Sequence, residues 1–275
     1  MSYTQISLFP DPRPPETVTW NLWHGCTKVS TGCKHCYMYR RDEAVGKDPT
    51  KVRKTQNFDL PTRILRAGSH RGLYKIPAGS VVFTCFSSDF FHPDADEWRE
   101  AAWSMIRERS DCSFFMITKR PERISTNLPS DWGDRWDHVT IAVTCKNQWM
   151  ANQRLPLYLK LPMKHHSIMI EPMLSRVNLR PFFTKYKRTD GSCLIESVSV
   201  GGESGPDARP CDYAWVLDVH MQCVENGISF SYHQTGARLI KGNKTYQIPR
   251  EEQHSQAHKA GLDYNGVGLI DMPGE

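Results

Sequence analysis

The stretch VVFTCFSSDFFHPDADEWREAAWSMIRERSDCSFFMIT, Val81 to Thr118, decides the fold. It opens on an apolar, β-branched run (Val81–Phe86), crosses a polar turn, enters an amphipathic segment (Glu97–Arg109) and closes on a second apolar run (Ser113–Thr118). Strand, helix, strand in that order is the pattern of a crossover unit, which sets the two strands parallel. The alternation extends both ways. Thr17–Leu22, Val139–Thr144, Ser167–Ile170, Leu194–Val200 and Ile228–Tyr232 read as further strands. Gln148–Leu161 and Tyr213–Asn226 read as helices; Pro156 kinks or divides the first, and Gly227 caps the end of the second. About seven such repeats predict an α/β chain folded as a complete or partial (β/α) TIM-like barrel. Its span is residues 17–236, between an N-terminal extension (1–16) and a C-terminal extension (237–275) without clear period.

The 275 residues match one barrel domain, typically about 250 residues. No stretch has the ~18 uninterrupted apolar residues of a membrane span, and the polar, proline-rich start is unlike a secretory signal. We therefore expect a cytoplasmic protein with no membrane partner. Nine cysteines, an odd number, then point to reduced thiols serving metal or core rather than a disulfide framework. The net charge of +5 permits an anionic substrate without demanding one. Basic residues concentrate in Lys47–Arg71, which reads as a solvated helix and loop, or as a surface for a partner.

In a parallel barrel, chemistry collects where strands end. Those ends here are SSDFFHPD (87–94), KRPER (119–123), CKNQ (145–148), EPM (171–173), GGESGPDARP (201–210) and HQTG (233–236), each switching abruptly from apolar to polar residues. The loop after the first strand carries Cys26, Cys33 and Cys36 as C-x6-C-x2-C. Three thiols this close read as metal ligands. A structural zinc would take His24 or His35 as a fourth ligand; an iron–sulfur cluster would leave one iron open.

A three-cysteine loop after the first strand of such a barrel, with the aromatic Tyr37 next to the last cysteine, resembles the radical SAM superfamily, whose usual spacing is C-x3-C-x2-C. The set WNLWHGCTKVSTGCKHCY, SSDFFHPD, TKRPER, IEPML and VGGESGPDARP is similar to the uncharacterised phage Gp37/Gp68-like three-Cys-motif proteins, over residues 17 to 236. The resemblance implies a barrel of the radical SAM type, with a [4Fe-4S] cluster on Cys26, Cys33 and Cys36. S-adenosyl-L-methionine (SAM) would chelate the open iron, and an external electron donor would drive its cleavage to a 5′-deoxyadenosyl radical. The substrate and reaction are not legible in the sequence; the net positive charge, Lys119 and Arg120 and the phage context point toward a nucleotide or nucleic acid, and a partner protein encoded nearby fits that context. The alternative is a structural zinc protein associated with nucleic acid and without catalytic activity.

Around the cysteines, Tyr37, Ser88, Asp89, Gly201, Gly202 and Glu203 are candidates for holding SAM. Tyr37 can cover the cluster or adenine, or fill an apolar loop. Gly201 and Gly202 let a ligand approach backbone, or simply make a turn, and the Glu203 carboxylate can accept from an ammonium or ribose hydroxyl. His92, Lys119, Arg120, Asn147, Glu171 and Gln234 are candidates for the substrate. Lys119 and Arg120 suit an anionic group; Glu171 follows four apolar residues, where a buried carboxylate needs a partner. HPD before EWRE also reads as a helix start with Asp94 near the N-cap. His233 reads as structural, and Cys85, Cys112, Cys145, Cys193, Cys211 and Cys223 as small core residues.

Overall fold

The computed structural model of the chain describes residues 11–133 and 136–266. Seven strands form one sheet: β1 (Thr17–Trp20), β2 (Val81–Thr84), β3 (Ser113–Thr118), β4 (Val139–Thr144), β5 (His165–Ile170), β6 (Ile195–Gly201) and β7 (Ser229–Gln234). Every neighbouring pair is parallel, and spatial order follows chain order. A sheet grown this way curls. Here it makes a half-barrel whose outer strands, β1 and β7, do not pair with each other.

The helices are α1 (Tyr37–Glu43), α2 (Asp96–Glu108), α3 (Gln148–Tyr158), α4 (Arg180–Lys185), α5 (Tyr213–Glu225) and α6 (Gln253–His258). Buried stripes at helical spacing, Ala102, Trp103 and Ile106 on α2 and Val216, Val219 and Cys223 on α5, join one core with alternate strand residues. Those strand residues include Trp20, Val82, Phe114, Met116, Ile141, Val143, Ile168, Val198 and Val200. The opposite parity tells another story: Phe83, Phe115, Ile117, Thr140, Met169, Ser197 and Ser199 are half-buried and Ser231 is exposed. Parallel sheets usually have both faces covered. The inner face of this one is partly open: it is uncovered over the residues just named, while Ala142, Thr144 and Ser167 on it are buried.

The strands over 113–118 and 139–144 have their expected bounds, while β1 and β2 stop at Trp20 and Thr84, two residues early. At Cys85 the backbone turns left-handed (φ 65°), an unusual conformation for a residue with a side chain, and sends the chain into the rim loop. Pro156 does not divide α3, which ends at Tyr158; proline supplies no ladder donor there, and beyond it the C-cap Leu159 N still bonds Leu155 O at 2.9 Å. Residues 47–71 hold no α-helix. Interrupted by Pro49, Pro61 and Gly68, they form a two-residue strand, Arg53–Lys54, paired with Trp23–His24, and a 3-10 turn, Leu60–Thr62.

The C-terminal extension is described through Gly266. Its strands β8 (Arg238–Lys241) and β9 (Lys244–Gln247) form a hairpin turning at Gly242 and Asn243. Tyr264 then exchanges both backbone bonds with Phe230, covering the edge of β7. Of the two extensions, residues 1–10 and 267–275 lie outside the described residues. No helix among the described residues is long and apolar enough to cross a membrane.

Candidate functional site

Counting in twos along the open face leads to one layer of polar residues at the strand exits. From Phe115 and Ile117 the count reaches Lys119; from Ala142 and Thr144, Lys146; from Ser167 and Met169, Glu171; from Ser197 and Ser199, Gly201; and from Ser231, His233. Side-chain contacts join the layer. Lys146 Nζ donates to the Glu171 carbonyl, and His233 Nδ1 lies 2.8 Å from Glu171 Oε2. Gln234 Nε2 donates to Glu171 Oε1. A Cβ on Gly201 would stand 2.6 Å from the Glu171 carboxyl carbon, so glycine there makes room for that carboxylate. Burial pushes the Glu171 carboxyl up, but His233, Gln234 and Lys146 hold it below its ordinary value. Lys146 is fully buried, and burial together with neighbouring Lys119 holds its amine well below the usual lysine range.

The cysteine loop lies over this layer. Gly32 sits on the Lys146 stem; a Cβ there would stand 2.6 Å from Lys146 Cγ. Gly32→Ala should therefore preserve the fold but lower stability by about 1–3 kcal/mol. Urea unfolding with an unchanged midpoint would show that Lys146 is free to move aside.

Two ion pairs brace the loop from opposite sides. On one side Asp89 accepts from Thr118 Oγ1 (2.8 Å), Phe91 N (3.0 Å), Lys119 N (2.9 Å) and Arg120 Nη1 (3.0 Å). Burial pushes the Asp89 carboxyl up; Arg120, with the other donors, reverses this and holds it below the ordinary 3.8. Arg120 Nη2 reaches Thr27 O at 3.0 Å and Thr27 Oγ1 at 2.8 Å, while Nη1 lies 3.8 Å from Cys26 Sγ. On the other side Arg209 grips Glu203 through Nε (2.8 Å) and Nη2 (2.5 Å), and donates to Thr31 O at 3.0 Å. Arg40 ties His35 O (3.1 Å) to Ser204 O (2.8 Å).

Cys33 ends a 3-10 turn, Thr31–Cys33, and Cys36 caps α1. Burial raises the Cys26 thiol against the pull of Arg120. At Cys33 burial also raises, but the Lys119 charge and the Ser30 hydroxyl 3.6 Å away win, and the thiol falls below its ordinary value. Tyr39 senses all three sulfurs: burial first, then Cys26, Cys36 and Cys33, raise its hydroxyl. Thus three free thiols share one short loop beside Arg120 and Lys119. That donor set fits an iron–sulfur cluster, whose ligands are thiolates that nearby positive charge favours and that a disulfide would remove. Among the described residues no three His, Cys, Asp or Glu side chains are already gathered into a metal-holding group, so binding must draw the sulfurs together.

Residues 16–273 match the family model described as Protein of unknown function (DUF5131). The chain belongs to this family. No curated protein and no solved structure matches it. In this DUF5131 chain the match takes in the cysteine loop, all seven strands and the hairpin of the C-terminal extension.

Other expected site residues of the DUF5131 chain have structural tasks. Asn147 caps α3, accepting from Met150 N at 2.9 Å. His92, rather than Asp94, caps the turn before α2: its Nδ1 accepts from Asp94 N at 3.2 Å, and its Nε2 lies 2.9 Å from Thr27 Oγ1. Ser88 Oγ donates to Gly25 O, and the Tyr37 hydroxyl to Phe86 O, leaving the Tyr37 ring half exposed at the rim. A Cβ on Gly202 would collide with Thr235 O, so this glycine serves strand packing. Lys119, half-buried, bears on Cys26, Cys33 and Lys146 through its charge. Sequence reasoning did not single out Lys146 and read His233 as structural; the period-two count along their strands is the signal that finds them.

Proposed function

We propose that this chain is an iron–sulfur enzyme of the radical SAM type, one of the phage Gp37/Gp68-like three-Cys-motif proteins, working in the cytoplasm. Cys26, Cys33 and Cys36 would hold the [4Fe-4S] cluster. The observation that carries the reading is the placing of three free thiols at the mouth of an open half-barrel, beside Arg120 and Lys119. With SAM and an external electron donor, such a cluster supplies one-electron bond cleavage; the chain has to position, charge-balance and keep dry.

Each task has named residues. Arg120 and Lys119 offset thiolate charge at Cys26 and Cys33. The open inner face, with Phe83, Phe115, Ile117 and Met169 beside Thr140, Ser197 and Ser199, offers a substrate apolar area and hydroxyls together. Lys119 stands at its upper end, suited to an anionic group on a nucleotide or nucleic-acid substrate. Lys146, and Glu171 paired with His233, set proton-exchanging groups in the same layer.

Metal analysis after anaerobic reconstitution tests this reading. The expected product is brown, holds about four irons per chain and forms 5′-deoxyadenosine when SAM and a reductant are added. A colourless protein with about one zinc per chain would instead support the structural zinc site.

A further inference from the structure

Between the loop after β6 and the C-terminal hairpin lies a cleft of about 450 Å³ that none of the site residues above lines. Its walls are Gly205 and Pro206 on one side and Ala237, Arg238, Gln247, Ile248, Pro249, Arg250 and Gln253 on the other. We propose that this cleft binds a phosphate-bearing small molecule of nucleotide size, with Arg238 and Arg250 gripping the phosphate.

Charge comes first. The lining holds two arginines and no acid; Asp207, Glu251 and Glu252 are close in sequence but do not line it. The bonds these arginines make go to neutral oxygens. Arg238 Nη2 reaches Pro206 O at 3.5 Å, while Arg250 Nη1 reaches Gln234 Oε1 at 2.9 Å and Gln253 Oε1 at 3.4 Å. The carboxylate in the adjoining loop, Glu203, is already taken by Arg209. Each guanidinium thus keeps donors for an anion, and planar forks from two elements suit the several oxygens of a phosphate.

Size and wall chemistry narrow the class. A free phosphate would fill a small part of 450 Å³, whereas ligand pockets of about 300–1,000 Å³ take small organic molecules. Pro206, Ala237, Ile248 and Pro249 offer apolar wall for a ring, and the Gln247 amide can meet ring edges or hydroxyls. The cleft also has a firm base: Gln253 is fully buried, donates to Ile248 O at 3.1 Å and accepts from Thr235 N through its carbonyl.

Calorimetric titration of the full chain with adenosine monophosphate, adenosine and inorganic phosphate tests the proposal without needing any metal. Adenosine monophosphate should bind, and each of the other two probes should bind about tenfold more weakly or worse, since each lacks one half of the recognition. Arg238→Ala and Arg250→Ala should each weaken adenosine monophosphate by about tenfold, the scale of a charge-assisted contact, with Arg250→Lys keeping part of it. Arg66→Ala, an exposed arginine on the loop between α1 and β2, should bind like the parent. Arg250 also holds Gln234, so if Arg250→Ala unfolds, Arg238→Ala decides, its native bond being the long one to Pro206. The proposal is overturned by no binding of adenosine monophosphate at millimolar concentration, by equal loss in Arg66→Ala, or by undiminished binding in Arg238→Ala. Binding of a 5′-phosphorylated oligonucleotide without adenosine monophosphate would overturn it too.

Discussion

Cys26→Ala, Cys33→Ala and Cys36→Ala are each expected to lose the bound iron and at least about a hundredfold of SAM cleavage, while His24→Ala and His35→Ala keep both. Three thiolates hold three of the cluster's four irons and leave the fourth open, so losing any one removes a ligand that no neighbour replaces. Nor are the histidines placed as substitutes: His24 Nε2 faces both oxygens of Asp42 at 2.9 and 2.8 Å. His35 lies on the Glu203 side of the loop, near the carboxylate that Arg209 holds below its ordinary range against burial. Iron and acid-labile sulfide per chain, with 5′-deoxyadenosine formed per hour, would be measured for all five variants. Full SAM cleavage by Cys33→Ala would sink the cluster assignment. Loss of metal from His35→Ala, with about one zinc in the parent, would give the loop to the zinc site.

The strands were legible because burial against helices on one side demands β-branched and aromatic runs, as in SFFMIT and VTIAVT. The hairpin was not. All four residues of β9 are exposed, so no alternation marks them, and the Gly242-Asn243 turn was its one local sign. In the site, sequence spacing located the cysteines and the rim but not the partners. Glu203 looked like a carboxylate waiting for a ligand until Arg209, on the same loop, closed on it. Asp89 and Arg120 stand 31 residues apart and meet because β2 and β3 are neighbours. CKNQ reads as one of the polar strand ends but does not single out Lys146; burial under Gly32 is a property of the loop that folds over it.

The Asp89–Arg120 pair gives the largest expected loss of stability. Both side chains are almost fully buried, and removing one leaves the other charged without its ion-pair partner. Asp89→Leu should therefore cost about 3–5 kcal/mol, a fall of about 6–20 °C in the unfolding midpoint. Arg120→Met should cost a comparable amount, since Asp89 would keep three neutral donors and lose its hydrogen-bonded countercharge. The double variant should be far less damaged than the sum, because an apolar pair needs no countercharge; Phe91 N and Lys119 N, deprived of their acceptor, keep it below the parent. A double-mutant cycle by urea unfolding should give a coupling of about 2 kcal/mol or more, and a coupling near zero would remove the pair as the brace of the loop. The pH dependence has a definite sign. The folded Asp89 titrates below its ordinary 3.8, so on acidification the unfolded chain takes up this proton first. Stability from the pair is complete above the unfolded value and is lost as pH falls through the folded one, and in Asp89→Leu that part of the acid sensitivity should be gone.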